Sequence, residues 1–144
     1  MSGDGERLSE IAVRALRRAG LRGILQAGSA GLAAEGDDLL AVGDVPHALL
    51  FPRLAAVVHH GGAGASAAVT VPVTADQPFW ARRLAAASEP IPFRSLTAEE
   101  LADSLLQVVK RQAYSRAAAR AAHHMATENG ARQTLETVRR LTGG

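Results

Sequence analysis

The sequence predicts an α/β protein built on a doubly wound parallel sheet. Short apolar segments bounded by glycine alternate with longer segments whose apolar residues recur at helical spacing, the pattern of βαβ units. Aromatic residues make up only 3% of the chain, and the 47% of hydrophobic residues are mostly Ala, Leu and Val. Such a composition suits helices packed on a sheet of small residues. At 144 residues, the whole chain (1–144) is predicted to form a single domain.

Each element has a local signal in the sequence. The helical segments show apolar residues on one face, and Thr97 to Glu100 has the T-x-x-E pattern of a capping box. The strands are short apolar runs next to glycine or proline. The predicted elements are, in order, a helix over 5–20, strands over 22–28, 39–44 and 55–60 with a helical turn between Pro46 and Pro52, a strand over 69–75, a helix over 76–87, an extended piece over 89–93, and helices over 98–111, 113–130 (ended by Gly130) and 131–141.

Composition argues against several classes of function. The chain has no cysteine, which removes disulfides and thiolate chemistry and fits a cytoplasmic protein. The net charge is only +2, and the scattered arginine pairs lack the aromatic residues that stack on bases, so nucleic-acid binding is not expected. No apolar run is long enough to span a membrane, and the polar start MSGDGERLSE is unlike a signal peptide.

The stretch VVHHGGAG, residues 57–64, follows a predicted strand at the place where sheets of this class bind ligands. Its glycines allow a sharp turn and a close backbone approach, so the following amides and the imidazole of His60 suit an anionic group such as phosphate. The spacing alone fits equally well a glycine turn with one locally bonded histidine. A metal site is not expected, because the adjacent His59 and His60 would point to opposite faces of a strand.

Other motifs carry less information. Residues 62–67 match the dinucleotide pattern G-x-G-x-x-[GA], but Asp76 comes too early to be the acid that ends the next strand. No Lys-Ser/Thr pair follows the glycines, which excludes a P-loop. No nucleophile elbow is present, so hydrolase chemistry has no support.

The two stretches VGDVPHALLFPRLAAVVHHGGAG (42–64) and ADQPFW (75–80) resemble the donor half of family 1 glycosyltransferases, which have the two-lobed GT-B fold. The resemblance continues through LTAEELADSL (96–105) to ENGARQTLE (128–136), and the bacterial enzymes that glycosylate antibiotics, macrolides or sterols are the most similar in kind. It implies a Rossmann-like C-terminal lobe that binds a UDP- or TDP-sugar.

The resemblance also implies roles for individual positions. Asp76 and Gln77 suit sugar hydroxyls, because a carboxylate accepts hydrogen bonds while an amide both donates and accepts; Asp76 alone can also be read as a helix N-cap. The implied sets are His60, Gly61, Gly62, Gly64, Ala65 and Ser66 for the donor diphosphate, Asp76 and Gln77 for the donor sugar, and Ser29, Val45 and Pro46 for the nucleobase and ribose.

The sequence departs from the family in four respects. It has no acceptor-binding lobe, which supplies the catalytic base, so no catalytic residue is expected in this chain. The usual first strand, central in the sheet, is missing. The stretch between the glycine loop and Asp76 is short by about eight residues, roughly two turns of helix. Finally, Ala65 replaces the usual hydroxyl residue, and Ser66 stands one place later.

Two functions of different class follow. The first is a nucleotide-sugar-binding domain of glycosyltransferase type that needs neither metal nor other cofactor and is not competent without an acceptor lobe. The alternative is a non-catalytic remnant or assembly partner, which pairs with an acceptor-lobe protein or with itself through an exposed sheet edge. Another GT-B enzyme, such as a nucleotide-sugar epimerase, fits the combination of HHGGAG and DQPFW less well.

Overall fold

The computed structural model describes residues 2–27, 36–60, 67–71, 88–127 and 129–142. In these ranges one helix precedes a pair of strands, a short helix and a 3-10 turn lead to three further strands, and three helices follow. The elements are helix α1 (Ser2–Ala19), strands β1 (Gly23–Gln26) and β2 (Leu39–Val42), helix α2 (His47–Leu50) with a 3-10 turn (Phe51–Arg53), strands β3 (Val57–His59), β4 (Ala68–Thr70) and β5 (Ser88–Pro90), a 3-10 turn (Phe93–Ser95), and helices α3 (Ala98–Lys110), α4 (Gln112–Thr127) and α5 (Gly130–Thr142).

Helix α1 ends at a glycine, as predicted. Gly20 adopts a left-handed conformation with φ of 66°. Its N–H donates to the carbonyl of Arg17 at 3.1 Å, and the Leu21 N–H donates to the carbonyl of Leu16 at 2.9 Å, the two bonds of a Schellman motif. The chain then turns back into β1, where a Cβ on Gly23 would overlap the Leu16 side chain. A larger residue at position 23 would therefore require the Leu16 side chain to change its conformation.

All pairings between the described strands are parallel, which confirms the predicted α/β class. However, the strands form two sheets rather than one, with orders β1-β2 and β3-β4-β5. No described strand pairs with the second edge of β1 or of β3.

The hydrophobic core lies where α1 and α3 pack together and α3 covers β4 and β5. Small buried residues, Ala15 on α1 and Ala102 on α3, are both fully inaccessible and bring the helices close together. The rest of the core comes from β4 and the residues next to it, from the segment that follows β5, and from one face of α3. Its other buried members are Ala67, Val69, Val71, Ile91, Leu96, Ala98, Leu101, Leu105 and Val108.

The start of α3 is capped as the sequence predicts. The N–H of Glu100 donates to Thr97 Oγ1 at 3.1 Å, and the Thr97 hydroxyl lies 3.4 Å from Glu100 Oε2. Two glutamates, Glu99 and Glu100, stand in the first turn, where negative charge complements the helix dipole.

The role predicted for Gly130 is wrong. Helix α4 ends earlier, at Thr127, and Gly130 instead opens α5. The side chain of Asn129 explains the restart, because its Oδ1 accepts a hydrogen bond from the N–H of Arg132 at 3.0 Å and so caps the new helix. Helix α5 buries none of its residues, although Leu135, Val138 and Leu141 lie on one side of it.

Candidate functional site

Ligands of open parallel sheets bind at the carboxyl ends of the strands, so the described strand ends define the candidate site. In the first sheet Gln26 and Val42 are register partners and end β1 and β2 together. In the second sheet His59 and Thr70 are register partners at the ends of β3 and β4. Val45 therefore follows the end of β2 and His60 follows the end of β3, as predicted.

The two adjacent histidines occupy different environments. Along β3, exposure alternates: Val57 and His59 are half-buried, while Val58 and His60 are exposed. His60 thus presents its imidazole to solvent at the end of β3, directly before the predicted phosphate-binding glycines. The two side chains therefore differ in their exposure to solvent.

Burial lowers the pKa of the His59 imidazole, and the neighbouring His60 lowers it further. Because the folded protein binds the His59 proton less readily than the unfolded chain, the unfolded state holds more protons below about pH 6.5. The free energy of unfolding is therefore expected to fall as the pH drops below that value. Urea unfolding followed between pH 7.5 and 5 checks this, and His59→Asn should flatten the slope. An equal slope in both proteins would contradict it.

Hydrogen bonds of the backbone and of a side chain fix the end of the loop that follows β2. The Pro46 carbonyl accepts from the N–H groups of Leu49 and Leu50 at 3.0 and 3.2 Å, which closes the first turn of α2. At the same place His47 Nε2 lies 2.9 Å from Gln26 Oε1. The backbone N–H and C=O of Val45 take no part in any hydrogen bond within the described ranges. They remain available to a ligand, which fits the nucleobase role implied for Val45, whereas the Pro46 carbonyl is already used.

Much of the predicted site cannot be located. The remaining predicted residues lie outside the described ranges: Ser29, Gly61, Gly62, Gly64, Ala65, Ser66, Asp76 and Gln77. The predicted helix over 76–87 also lies outside them, as do positions 72–75 of the strand predicted over 69–75. The roles of all these residues stay predictions. Of the predicted set, the structure places His60, Val45 and Pro46, each next to a strand end.

Sequence reasoning missed three side chains at these strand ends. Gln26 and His47 contact each other beside Val45, and Phe51 stacks on the His47 ring with centroids 4.7 Å apart. Their only sequence signal was that His47 directly follows Pro46. A fourth side chain, that of Thr70, was also missed: it is the register partner of His59, and its fully buried hydroxyl has no hydrogen-bond partner in the described part of the chain.

Clefts and acidic clusters do not add a competing site in the described part of the chain. One cleft lies along exposed residues of α5, and another between β5 and the start of α3. Neither includes a predicted site residue. Among the described residues, no group of three or more His, Asp or Glu side chains is placed to hold a metal ion. No described helix is long and apolar enough to cross a membrane.

The parallel strands and the helices packed on them define a Rossmann-like α/β domain. Comparison with solved structures gives the same architecture. The chain is similar in fold to the spinosyn forosaminyltransferase SpnP, with a TM-score of 0.77 over 94% of this chain and 40% of that one, at 13% identity. It is also similar to the glycosyltransferase VinC, solved in complex with dTDP, with a TM-score of 0.57 and 29% identity over 62% of this chain and 25% of that one.

Sequence comparison then gives the particular family. Residues 24–141 match the family described as "Erythromycin biosynthesis protein CIII-like, C-terminal domain". The chain belongs to this family, the C-terminal domain of family 1 glycosyltransferases with the GT-B fold, and the predicted resemblance is confirmed. Domains of this type bind the nucleotide-sugar donor of UDP/TDP-sugar glycosyltransferases.

Individual relatives include enzymes for antibiotic and sterol glycosylation. The chain is 40% identical to the O-mycaminosyltylonolide 6-deoxyallosyltransferase of Streptomyces fradiae, over 87% of this chain and 32% of the relative. It is also 40% identical to a sterol 3-beta-glucosyltransferase of Arabidopsis thaliana, over 69% of this chain and 18% of the relative. It is 37% identical to the vancomycin aglycone glucosyltransferase of Amycolatopsis orientalis, over 76% of this chain and 30% of the relative. The chain thus matches about a third or less of the length of each of these relatives.

Proposed function

We propose that this chain binds a pyrimidine nucleoside diphosphate sugar, a UDP- or TDP-sugar, at the carboxyl ends of its parallel strands. The observation that carries the proposal is the position of His60, exposed at the end of β3 and directly before the glycine-rich stretch 61–66. An imidazole and backbone amides at a strand end suit a diphosphate. The unbonded backbone of Val45, beyond the end of β2, supports contact with a base edge.

The proposed division of labour follows the family. The diphosphate is bound by His60 with the amides and hydroxyl of the stretch 61–66, and the sugar by Asp76 and Gln77. The base and ribose lie against Ser29, Val45 and Pro46. No metal or further cofactor is needed for this binding.

In a complete transferase, the reaction would be a displacement with inversion. A base from an acceptor-binding lobe takes the proton of an acceptor hydroxyl, and that oxygen attacks the anomeric carbon of the sugar. The bond from this carbon to the diphosphate oxygen breaks as the new bond forms. His60 and the amides at the glycines stabilise the negative charge of the departing diphosphate. In this proposal the base belongs to the acceptor-binding lobe, and the part of this chain is to bind the donor.

Replacing His60 by alanine is expected to weaken binding of UDP and TDP by about 10- to 100-fold, since one charge-assisted hydrogen bond to the diphosphate is lost. Calorimetric titration of the purified chain with both nucleotides measures this. His123→Ala is the matched control, because His123 is another exposed histidine, on α4, far along the chain from the strand ends. A folded wild-type protein that binds neither nucleotide would refute the proposal.

A second candidate function is an assembly partner rather than a complete binding module. Specific features favour it: β1 and β3 each have an edge without a described partner, and apolar side chains of strands are exposed. Ile24 and Leu40, register partners on β1 and β2, are 40% and 57% exposed, and Val58 on β3 is 44% exposed. Such edges and faces favour pairing with an acceptor-lobe protein or with a second copy.

Light scattering over a range of concentrations separates these possibilities. A monomer at all concentrations would argue against self-association and leave a separate acceptor-lobe protein as the partner. A dimer that Ile24→Lys disrupts would support pairing through the sheet edge.

We place the protein in the cytoplasm, which the absence of cysteine supports.

A further inference from the structure

A small cluster outside the predicted site joins two neighbouring strand ends. It consists of Gln26, the last residue of β1, with His47 and Phe51 from the helical turns after β2. His47 Nε2 lies 2.9 Å from Gln26 Oε1. The His47 and Phe51 rings are stacked, with centroids 4.7 Å apart and planes inclined by 14°. We call these three residues the Gln26–His47–Phe51 cluster.

The cluster closes a short loop at both ends. Residues 43–46 leave β2 immediately after Val42, and β2 is fixed to β1 by the ladder and by the Ala27 N–H, which donates to the Val42 carbonyl at 2.9 Å. At the far end of the loop, the His47 side chain lies within hydrogen-bond distance of Gln26, the last residue of β1. Four loop residues are thus held between two attachments to β1, one through the backbone and one through a side chain.

The loop has free backbone groups between these attachments. Gly43 has open space around it, with nothing within 4 Å of where a Cβ would lie. Val45 is half-buried, and within the described ranges its N–H and C=O make no hydrogen bond. A peptide N–H and C=O can pair with the alternating acceptors and donors on the edge of a pyrimidine, provided that the loop keeps one conformation.

We propose that His47 is a positioning residue of the donor site: by bonding Gln26 and stacking on Phe51, it holds the loop 43–46 so that the Val45 backbone meets the nucleobase. This inference rests on the proposed function and adds to it a residue that acts through the loop. A loop that is ordered before binding loses less conformational entropy when the ligand binds, and the ligand therefore binds more tightly. The diphosphate is held at the end of β3 instead, so the cluster should affect nucleosides and leave inorganic pyrophosphate unaffected.

The test compares two ligands across matched variants. Wild type, His47→Ala, Gln26→Ala and the double variant are titrated with UDP and with inorganic pyrophosphate. We expect each single variant to bind UDP about 5- to 20-fold more weakly, and the double variant to be no weaker than either single one. Affinity for pyrophosphate should change less than about twofold. His123→Ala is the control for loss of an exposed imidazole, and His47→Gln, which keeps an N–H donor, should recover part of the affinity.

Hydrogen exchange of the ligand-free protein gives a readout that does not depend on binding. If His47 orders the loop, the Leu49 and Leu50 amides, which bond the Pro46 carbonyl, should exchange faster in His47→Ala and in Gln26→Ala, with an unchanged Tm. Unchanged exchange would overturn the positioning role.

The outcomes separate this inference from the proposed function. Normal UDP binding by the His47→Ala variant overturns the positioning role alone. An equal loss for UDP and pyrophosphate, or additive losses in the double variant, also overturns it. Absence of UDP binding by the folded wild type refutes the donor site and the positioning role together.

Discussion

Replacing Leu101 by alanine is expected to lower the free energy of unfolding by about 2–5 kcal/mol. Leu101 lies on α3 and is only 3% exposed, in the core formed by α1, α3 and β4. Alanine would leave a cavity there, because the backbones of two helices and a sheet cannot all move inward to fill it. Since small domains are stable by only about 5–15 kcal/mol, the loss is a large part of the whole.

Leu135→Ala is the matched control for this change. The residue is again a leucine on a helix, but it is 50% exposed and lies on α5, which buries none of its residues. It should change the free energy of unfolding by less than about 0.5 kcal/mol. Urea unfolding followed by circular dichroism measures both. Equal losses in the two variants would show that α5 packs as tightly as α3, contrary to the structure.

Replacing Thr70 by valine is expected to raise the free energy of unfolding by about 1–3 kcal/mol. Thr70 is wholly buried at the end of β4, between β3 and β5, and its Oγ1 has no hydrogen-bond partner among the described residues. Valine has nearly the same shape and replaces the unbonded hydroxyl with a methyl group. The same substitution at Thr97 should have the opposite sign and cost about 1 kcal/mol, because that hydroxyl caps α3.

Thermal and urea unfolding of Thr70→Val, Thr97→Val and wild type test the contrast. A loss of stability in Thr70→Val would mean that the hydroxyl has a partner in solution, such as an ordered water at the strand ends next to His59. In that case the variant should also be titrated with UDP, since Thr70 stands at the carboxyl edge where the donor is proposed to bind.

The local elements were largely predictable because each depends on neighbours in sequence. The end of α1 at Gly20 follows from glycine's access to positive φ, and the start of α3 follows from the T-x-x-E pattern at Thr97. The prediction for Gly130 failed because two signals compete there: a glycine can end one helix, but Asn129 caps the next. The side chain of Asn129 decides between them.

The candidate site was predictable where it follows from chain order. His60 comes at the end of an apolar strand with alternating exposure, and Val45 comes after another strand. Both positions follow from the two-residue alternation of side chains along a strand and from the order of the elements in the chain. The cluster around His47 was not predictable in the same way. Gln26 and His47 are 21 residues apart, and only the parallel register of β1 and β2 brings them within hydrogen-bond distance.

By itself, the sequence determined the parallel α/β class, the end of α1, the start of α3 and the family, because these depend on short-range patterns and on contiguous motifs. The tertiary structure alone decided that the described strands form two sheets, that the buried Thr70 hydroxyl has no hydrogen-bond partner within the described ranges and that α5 is left exposed. Each of those depends on which segments pack together at long range, and a strand or an amphipathic helix has the same pattern whether or not a neighbour covers it.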